Sequence, residues 1–269
     1  MSKIISIHSF RGGTGKSNST ANLSVLIAAA GYRVGVIDTD IQSPGIHVVF
    51  GQDPKKFKYS LNDYLWGRCN VEDAAYDVTM SAIGKADQEA ERPRIFLIPS
   101  SLQTGEIARI LREGYDVALL NDGFHRLIKE LNLDFLLIDT HPGVNEETLL
   151  SIALSDLFLL IMRPDNQDFQ GTSVTVELAR RLEVKNAMVM INKVPPNMNR
   201  EALHQQVSQS YGVEIAGMLP LSLEMAELAS SSLFVNRFPE HELSRTLKNV
   251  ATKILEKMSS AEDTQKSTA

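Results

Sequence analysis

The sequence predicts a three-layer α/β domain, a mostly parallel central sheet with helices on both faces. Short apolar runs alternate with helical patterns along the 269 residues, the order expected of a βαβ chain. Most of these runs are β-branched or leucine residues without polar alternation, as strands buried on both faces require. A glycine-rich turn separates the first such run from the first helical segment.

The elements follow in order. Ile4–His8 is the first expected strand; an amphipathic helix over Ser17–Ala30 comes after the turn, closed by Gly31 as a C-cap. Val34–Asp38 is the second strand. Gln52 to Pro93 is polar, gathers Lys55, Lys56 and Lys58, and offers few apolar anchors between Gly84 and Arg94. It predicts short helices and a mobile loop on one edge, not a separate domain. Strands resume at Ile95–Ile98, Phe135–Asp139, Leu157–Met162, Ala187–Asn192 and Ile215–Met218. Helices are expected at Asp116–Leu131, Glu146–Leu154, Phe169–Leu182, Arg200–Tyr211 and Glu240–Met258. One domain over residues 1–258 is expected, followed by a polar, disordered tail at 259–269.

Composition narrows the function classes. The 27 Lys and Arg against 33 Asp and Glu leave a formal charge of −6, which disfavours whole-surface binding of nucleic acid without excluding a basic patch. The single cysteine, Cys69, rules out an internal disulfide framework and a site built on several thiolates, and it suits a reducing cytoplasm. No apolar run reaches the roughly 18 residues of a membrane span, and no signal peptide is visible. A soluble, cytoplasmic chain is expected.

The chemistry concentrates in Gly12-Gly13-Thr14-Gly15-Lys16-Ser17. Glycines let backbone N–H groups wrap a phosphate where a Cβ would obstruct. Lys16 faces the β- and γ-phosphates, Ser17 is the expected Mg²⁺ ligand, and the following helix adds its positive end. Asp139 ends a buried strand and takes the second metal-side position. Asp38 and Asp40 end the strand one βα unit after the loop. One carboxylate can face the metal while the other orients an attacking water; alone they would read as an ordinary turn.

Arg11-Gly-Gly-Thr-Gly-Lys-Ser17, then Asp38-Thr-Asp40, then Asp139-Thr-His-Pro-Gly143 resembles the MinD/ParA family of deviant Walker A P-loop ATPases, over about Met1 to Met258. The MinD-like branch is the more similar, through Val36–Gly51 and Arg94–Ser101. The resemblance implies the three-layer P-loop NTPase fold, ATP and Mg²⁺ as cofactors, and a homodimer that closes on ATP and resets on hydrolysis. It assigns hydrolysis to Asp40 with Asp38 as its companion, the metal side to Ser17, Asp139 and Asp40, and the base to Asn192 and Pro220.

Two departures stand out. Arg11 occupies the place of the family's lysine, which reaches across the dimer to the partner's phosphates; arginine keeps the charge but is planar and longer. It either acts in trans or pairs with solvent or a local carboxylate. Asn18 replaces a threonine and alters an expected α-phosphate contact. His141, a lone histidine in a polar loop, reads as a bystander, because no Ser or Cys nucleophile accompanies it. Leu243, Leu247, Val250, Ile254 and Met258 form a core-facing helical stripe. The end at 259–269 lacks the aromatic, basic face of a membrane-docking helix. The expectation is therefore an ATPase switch without a membrane anchor that positions or regulates a cellular structure with an unidentified activating or cargo protein. The alternatives are a hydrolysis-poor ATP-binding scaffold and a nonspecific DNA-binding partition ATPase.

Overall fold

Seven apolar runs and one two-residue strand build one sheet in the computed structural model, which describes residues 2–84 and 93–266. The strands are β1 (Lys3–His8), β2 (Arg33–Asp38), β3 (Tyr76–Asp77), β4 (Arg94–Ile98), β5 (Phe135–Asp139), β6 (Leu157–Met162), β7 (Ala187–Val194) and β8 (Glu214–Pro220). Their spatial order is β3-β4-β2-β5-β1-β6-β7-β8. Every neighbouring pair is parallel except β3 against β4. The expected sheet is therefore present, with β3 as an additional two-residue antiparallel edge.

The helices are α1 (Lys16–Ala29), α2 (Ile46–Val49), α3 (Leu61–Leu65), α4 (Thr79–Ile83), α5 (Thr104–Glu113) and α6 (Ala118–Glu130). They continue as α7 (Glu146–Ala153), α8 (Asn166–Arg181), α9 (Arg200–Tyr211), α10 (Leu223–Leu228), α11 (Phe234–Arg237) and α12 (Glu242–Lys266). Alternate strand residues supply opposite faces. Ile5, Ile7, Val34, Val36, Leu137 and Leu159 pack with α1 and α12. Ile4, Ile37, Leu136 and Ile138 pack with α3 and α6, while Phe158, Leu160 and Val189 pack with α8 and α9.

Helix α1 corrects the expectation of an amphipathic element. It runs through the centre of one layer, and even Ser19, Thr20, Asn22 and Ser24 are buried. Their polar atoms find partners inside: Ser24 Oγ donates to Ala21 O (2.8 Å) and Asn22 Oδ1 accepts the Val235 N–H (2.9 Å). Helix α5, which sequence patterning did not reveal, buries only Ile110 among its side chains. Its tie to the domain is polar and aromatic: Arg109 lies over the Trp66 ring at 3.8 Å, and Trp66 Nε1 donates to Glu106 at 2.9 Å.

The edge segment after Gln52 carries α3, β3 and α4; residues 85–92 of the expected mobile loop lie outside the described residues. The apolar stripe of α12 is buried from Leu243 to Met258. The helix continues to Lys266, which corrects the expectation of a disordered tail beginning at 259. Extending a packed helix adds one bond per residue without a new nucleus, so polar helix formers can prolong it. Residues 267–269 lie outside the described residues. No helix among the described residues is long and apolar enough to cross a membrane.

Candidate functional site

Three central strands, β2, β5 and β1, end side by side at their carboxyl ends. Ile7 of β1 lies in register with Asp139 of β5, which lies in register with Asp38 of β2. Both carboxylates follow residues that face α3 and α6, so the alternation turns them toward α1. There Lys16 Nζ sits 2.8 Å from Asp139 Oδ1, and Thr20 Oγ1, one turn further along α1, lies 3.2 Å from the same oxygen. Lys16 is also 3.9 Å from Asp40 Oδ2. Asp139 Oδ2 is buried and has no hydrogen-bond partner among the described residues. A buried acceptor left unpaired costs about 1–3 kcal/mol, so this atom is poised for a ligand.

The other two carboxylates differ in environment. Burial, and then the charge of Asp139, push Asp38 up to about 8 against the opposing pull of Lys16. Its two oxygens accept the N–H groups of Asp40 (3.0 Å) and Gly45 (3.2 Å), pinning the loop after β2. For Asp40, burial acts to raise the pKa. The His141 hydrogen bond, Lys16 and Ser43 together outweigh it and hold the group below the usual carboxylate range.

The loop from Gly12 to Gly15 is shaped by backbone geometry. Gly15 sits at φ +93°, and a Cβ there would fall 2.4 Å from Asn192 Nδ2. That amide is committed to the loop: Nδ2 donates to Thr14 O (2.7 Å) and Oδ1 accepts the Lys193 N–H (2.8 Å). Lys193 Nζ donates to Gly13 O (2.8 Å). From the other side, Phe10 packs over Gly171 of α8, where any Cβ would meet its ring at 2.0 Å.

Two cavities share Gly15, Asn18 and Ser230. One, about 330 Å³, is lined by residues 12–18 of the loop with Asp40, Ser43 and Pro142. The other, about 320 Å³, is mostly apolar, with Asn192, Pro220, Met225 and Leu247 in its wall. The sequence-predicted Gly12, Gly13, Thr14, Lys16, Ser17 and Asp40 thus converge on the first, and Asn192 and Pro220 on the second. Asn18 Nδ2 donates to Ser230 Oγ (3.0 Å), while its Oδ1 is buried and unpartnered.

Arg11 stands apart from the cluster. Its Nη1 lies 3.4 Å from Asp168 Oδ1 and 3.6 Å from Asp165 Oδ1, with the side chain 39% exposed. Of the two settings open at the sequence level, the structure has it beside local carboxylates.

Sequence reasoning missed Thr20, Lys193, Asp168 and His141. The bystander reading of His141 is corrected: its Nδ1 lies 2.7 Å from Asp40 Oδ1. Thr20 follows Lys16 by four residues, one helical turn, and that spacing could have flagged it. Asp168 meets the site from a distant segment and leaves no local pattern; Lys193 and His141 lie close to Asn192 and Asp139, which the sequence does mark, but nothing local names their partners.

His8, the last residue of β1 and four positions before Gly12, is fully buried and pairs Nδ1 with Thr140 Oγ1 (2.7 Å), while Nε2 has no partner among the described residues. Burial first, then Lys16 and His141, lower its pKa from 6.5 to about 3. Because the folded value is depressed, this group's stabilisation is present above 6.5 and is lost as pH falls toward 3. His8→Asn, whose amide can serve Thr140, removes that dependence. Between pH 7 and 4.5 the wild type should lose about 2 kcal/mol more than the variant, read by denaturant unfolding at each pH. Parallel pH curves for the two proteins would contradict this.

Among the described residues no three or more His, Cys, Asp and Glu side chains form a preformed metal cage. A Mg²⁺ ion held with nucleotide takes one or two carboxylates plus phosphate oxygens and waters. The orphan Asp139 Oδ2 and the cavity-lining Ser17 suit such a donor set.

The chain matches the ParA family model, described as a NUBPL iron-transfer P-loop NTPase, over residues 1–255. It is 24% identical to an uncharacterized ATP-binding protein of Methanocaldococcus jannaschii, covering 95% of this chain and 88% of that one. It is also 24% identical to the iron-sulfur cluster carrier protein of Pyrococcus horikoshii, covering 94% and 86%. Among solved structures, the septum site-determining protein MinD from Pyrococcus horikoshii, complexed with Mg-ADP, superposes with a TM-score of 0.74 at 21% identity. That match covers 94% of this chain and 96% of that one.

Proposed function

The chain belongs to the ParA family of P-loop NTPases, and from that premise we propose that it is a cytoplasmic ATP-driven switch, closing as a homodimer on ATP and reset by hydrolysis. The observation that carries this reading is the buried Lys16–Asp139 pair at the mouth of the glycine loop, with one Asp139 oxygen unpartnered. In this reading the N–H groups of residues 12–16 wrap the phosphates, and Lys16 turns from Asp139 toward them. Asp139 and Ser17, with Asp40 nearby, hold Mg²⁺, which neutralises phosphate charge when bound. Asp40 orients the attacking water, and Asp38 fixes the Asp40 loop through its two backbone contacts. Pro220 and the apolar wall enclose the base. Asn192 serves chiefly as a strut under Thr14. An activating or cargo protein reads the dimer.

A hydrolysis-poor scaffold is the second reading, favoured by the pairing of Arg11 with Asp165 and Asp168. Single-turnover hydrolysis and nucleotide-dependent sizing separate the two. Asp40→Ala should still bind and dimerise with ATP while losing hydrolysis about 100-fold or more. If wild type and Asp40→Ala form the ATP dimer and are equally inactive, the switch reading falls and the scaffold stands.

The carrier chemistry of the Pyrococcus relative is not carried over. Iron–sulfur clusters take four ligands, usually thiolates, and two copies of this chain offer two cysteines. Burial, then Asp63, Asp73 and Glu72, push Cys69 up to about 11, so it is a poor thiolate. DNA partitioning is disfavoured by the charge of −6. ATP-dependent, salt-sensitive retention on DNA would reverse that.

A further inference from the structure

The Asp40 carboxylate is held asymmetrically. Its Oδ1 faces three donors: His141 Nδ1 at 2.7 Å, Ser43 Oγ at 2.9 Å and Ser43 N at 3.3 Å. Its Oδ2 is the oxygen on the Lys16 side, 3.9 Å from Nζ. An ionised carboxylate only accepts, so His141 Nδ1 carries the proton in this contact. The two Ser43 donors belong to the same loop as Asp40 and move with it. His141 comes from the loop after β5, two residues past the end of β2's neighbour in the sheet.

That second loop has its own anchors. The His141 carbonyl accepts from Thr148 Oγ1 of α7 at 3.4 Å, and the Thr148 N–H is capped by Asn145 Oδ1 at 2.8 Å. Pro142 follows and restricts the backbone. The pair is mostly shielded, with side chains 21% and 10% exposed, where a charge-assisted hydrogen bond is stronger than in water. His141 therefore ties Asp40 to a frame outside its own loop and fixes the plane of the carboxylate. Oδ2 is left facing the phosphate cavity.

We propose that His141 is a positioning residue: by holding Asp40 Oδ1 across two loops, it aims Asp40 Oδ2 at the water used in hydrolysis. This rests on the ATPase reading of the same site. It acts through Asp40 and needs no contact with nucleotide, so its loss should slow turnover without weakening binding.

The test uses the full chain with Mg-ATP and compares wild type, His141→Ala and His141→Asn. The asparagine Nδ2 occupies the place of the histidine Nδ1 and restores the donor. His141→Ala should lower the single-turnover rate roughly 30-fold, the scale on which a misaligned catalytic group costs rate, with the Kd for a fluorescent ATP analogue changed less than about twofold. His141→Asn should recover most of the rate. A second readout is independent of activity. In ¹⁵N NMR of labelled histidine, His141 should show an Nδ1-protonated ring in wild type that is lost in Asp40→Ala.

Wild-type rate in His141→Ala, or His141→Asn as slow as His141→Ala, overturns the positioning role while the ATPase reading stands. An imidazole signal indifferent to Asp40→Ala overturns the contact itself. A wild type that binds ATP and never turns over, with the imidazole signature present, overturns both the hydrolysis reading and this role and leaves only a structural clasp.

Discussion

Lys16→Ala should cost the chain its stability as well as its nucleotide. The simpler expectation for a phosphate-binding lysine is lost affinity with the fold untouched, as for a solvated side chain. Here Lys16 is 7% exposed at its side chain and 2.8 Å from Asp139, itself 1% exposed. Asp38 is fully buried beside Asp139. Truncating Lys16 leaves Asp139 with the Thr20 hydroxyl as its remaining side-chain partner, next to a second buried carboxylate. Removing one member of a buried ion pair costs about 3–5 kcal/mol, or roughly 6–20 °C in Tm for a domain of this size. Proton uptake by one of the carboxylates offsets part of that. Thermal melts of the nucleotide-free protein, beside ATP titrations, check both halves. Adding Asp139→Asn to Lys16→Ala should recover stability and leave binding lost. An unchanged Tm in Lys16→Ala would mean that the pair does not stabilise the apo fold.

The fold was largely readable because its sheet is parallel and buried on both faces. Phe135–Ile138 and Leu157–Met162 are unbroken apolar runs and Ile4–Ile7 is broken only by Ser6, and such runs have few other places to go. Helices were readable where one face is apolar, as in α12, and misread where that premise fails. Helix α1 is buried nearly all round because α12, α2 and α4 cover what a surface helix would leave wet. Helix α5 hides behind Gly105 in its first turn and a single fully buried side chain.

The site divides along the same line. Gly12 to Ser17 is contiguous, and Asp38 and Asp139 are marked by where their strands end, so local pattern sufficed. His141 and Asp168 gain their roles only through partners far along the chain, 101 residues away at Asp40 and 157 at Arg11. A lone histidine before a proline carries no sign of the carboxylate that the neighbouring strand will bring to it.

Arg11→Ala and Asp168→Ala should separate a releasable contact from a structural one. Asp168 is 2% exposed at its side chain and is held three times by Arg163: through the backbone N–H (2.8 Å), Nε (3.1 Å) and Nη2 (3.3 Å). Arg11 adds one long contact of 3.4 Å from a side chain 39% exposed. Half-solvated pairs of that kind are worth about 0–1 kcal/mol. Arg11 can therefore leave Asp168 at little cost, and Asp168 stays satisfied when it does. Arg11→Ala should move Tm by no more than about 4 °C yet abolish the ATP-dependent dimer, if the guanidinium reaches the partner's phosphates in trans. Arg11→Lys should keep that dimer. Asp168→Ala strands the Arg163 N–H and leaves its guanidinium to Asp165 (3.3 Å), and should lower Tm by roughly 2–12 °C, whatever happens to dimerisation. Melting curves and sizing with and without ATP decide the matter. Equal stability losses in the two variants would make Arg11 a structural partner of α8. An Arg11→Ala chain that dimerises and hydrolyses at the wild-type rate would remove the trans role altogether, and the cis pairing would then be the whole of what this residue does.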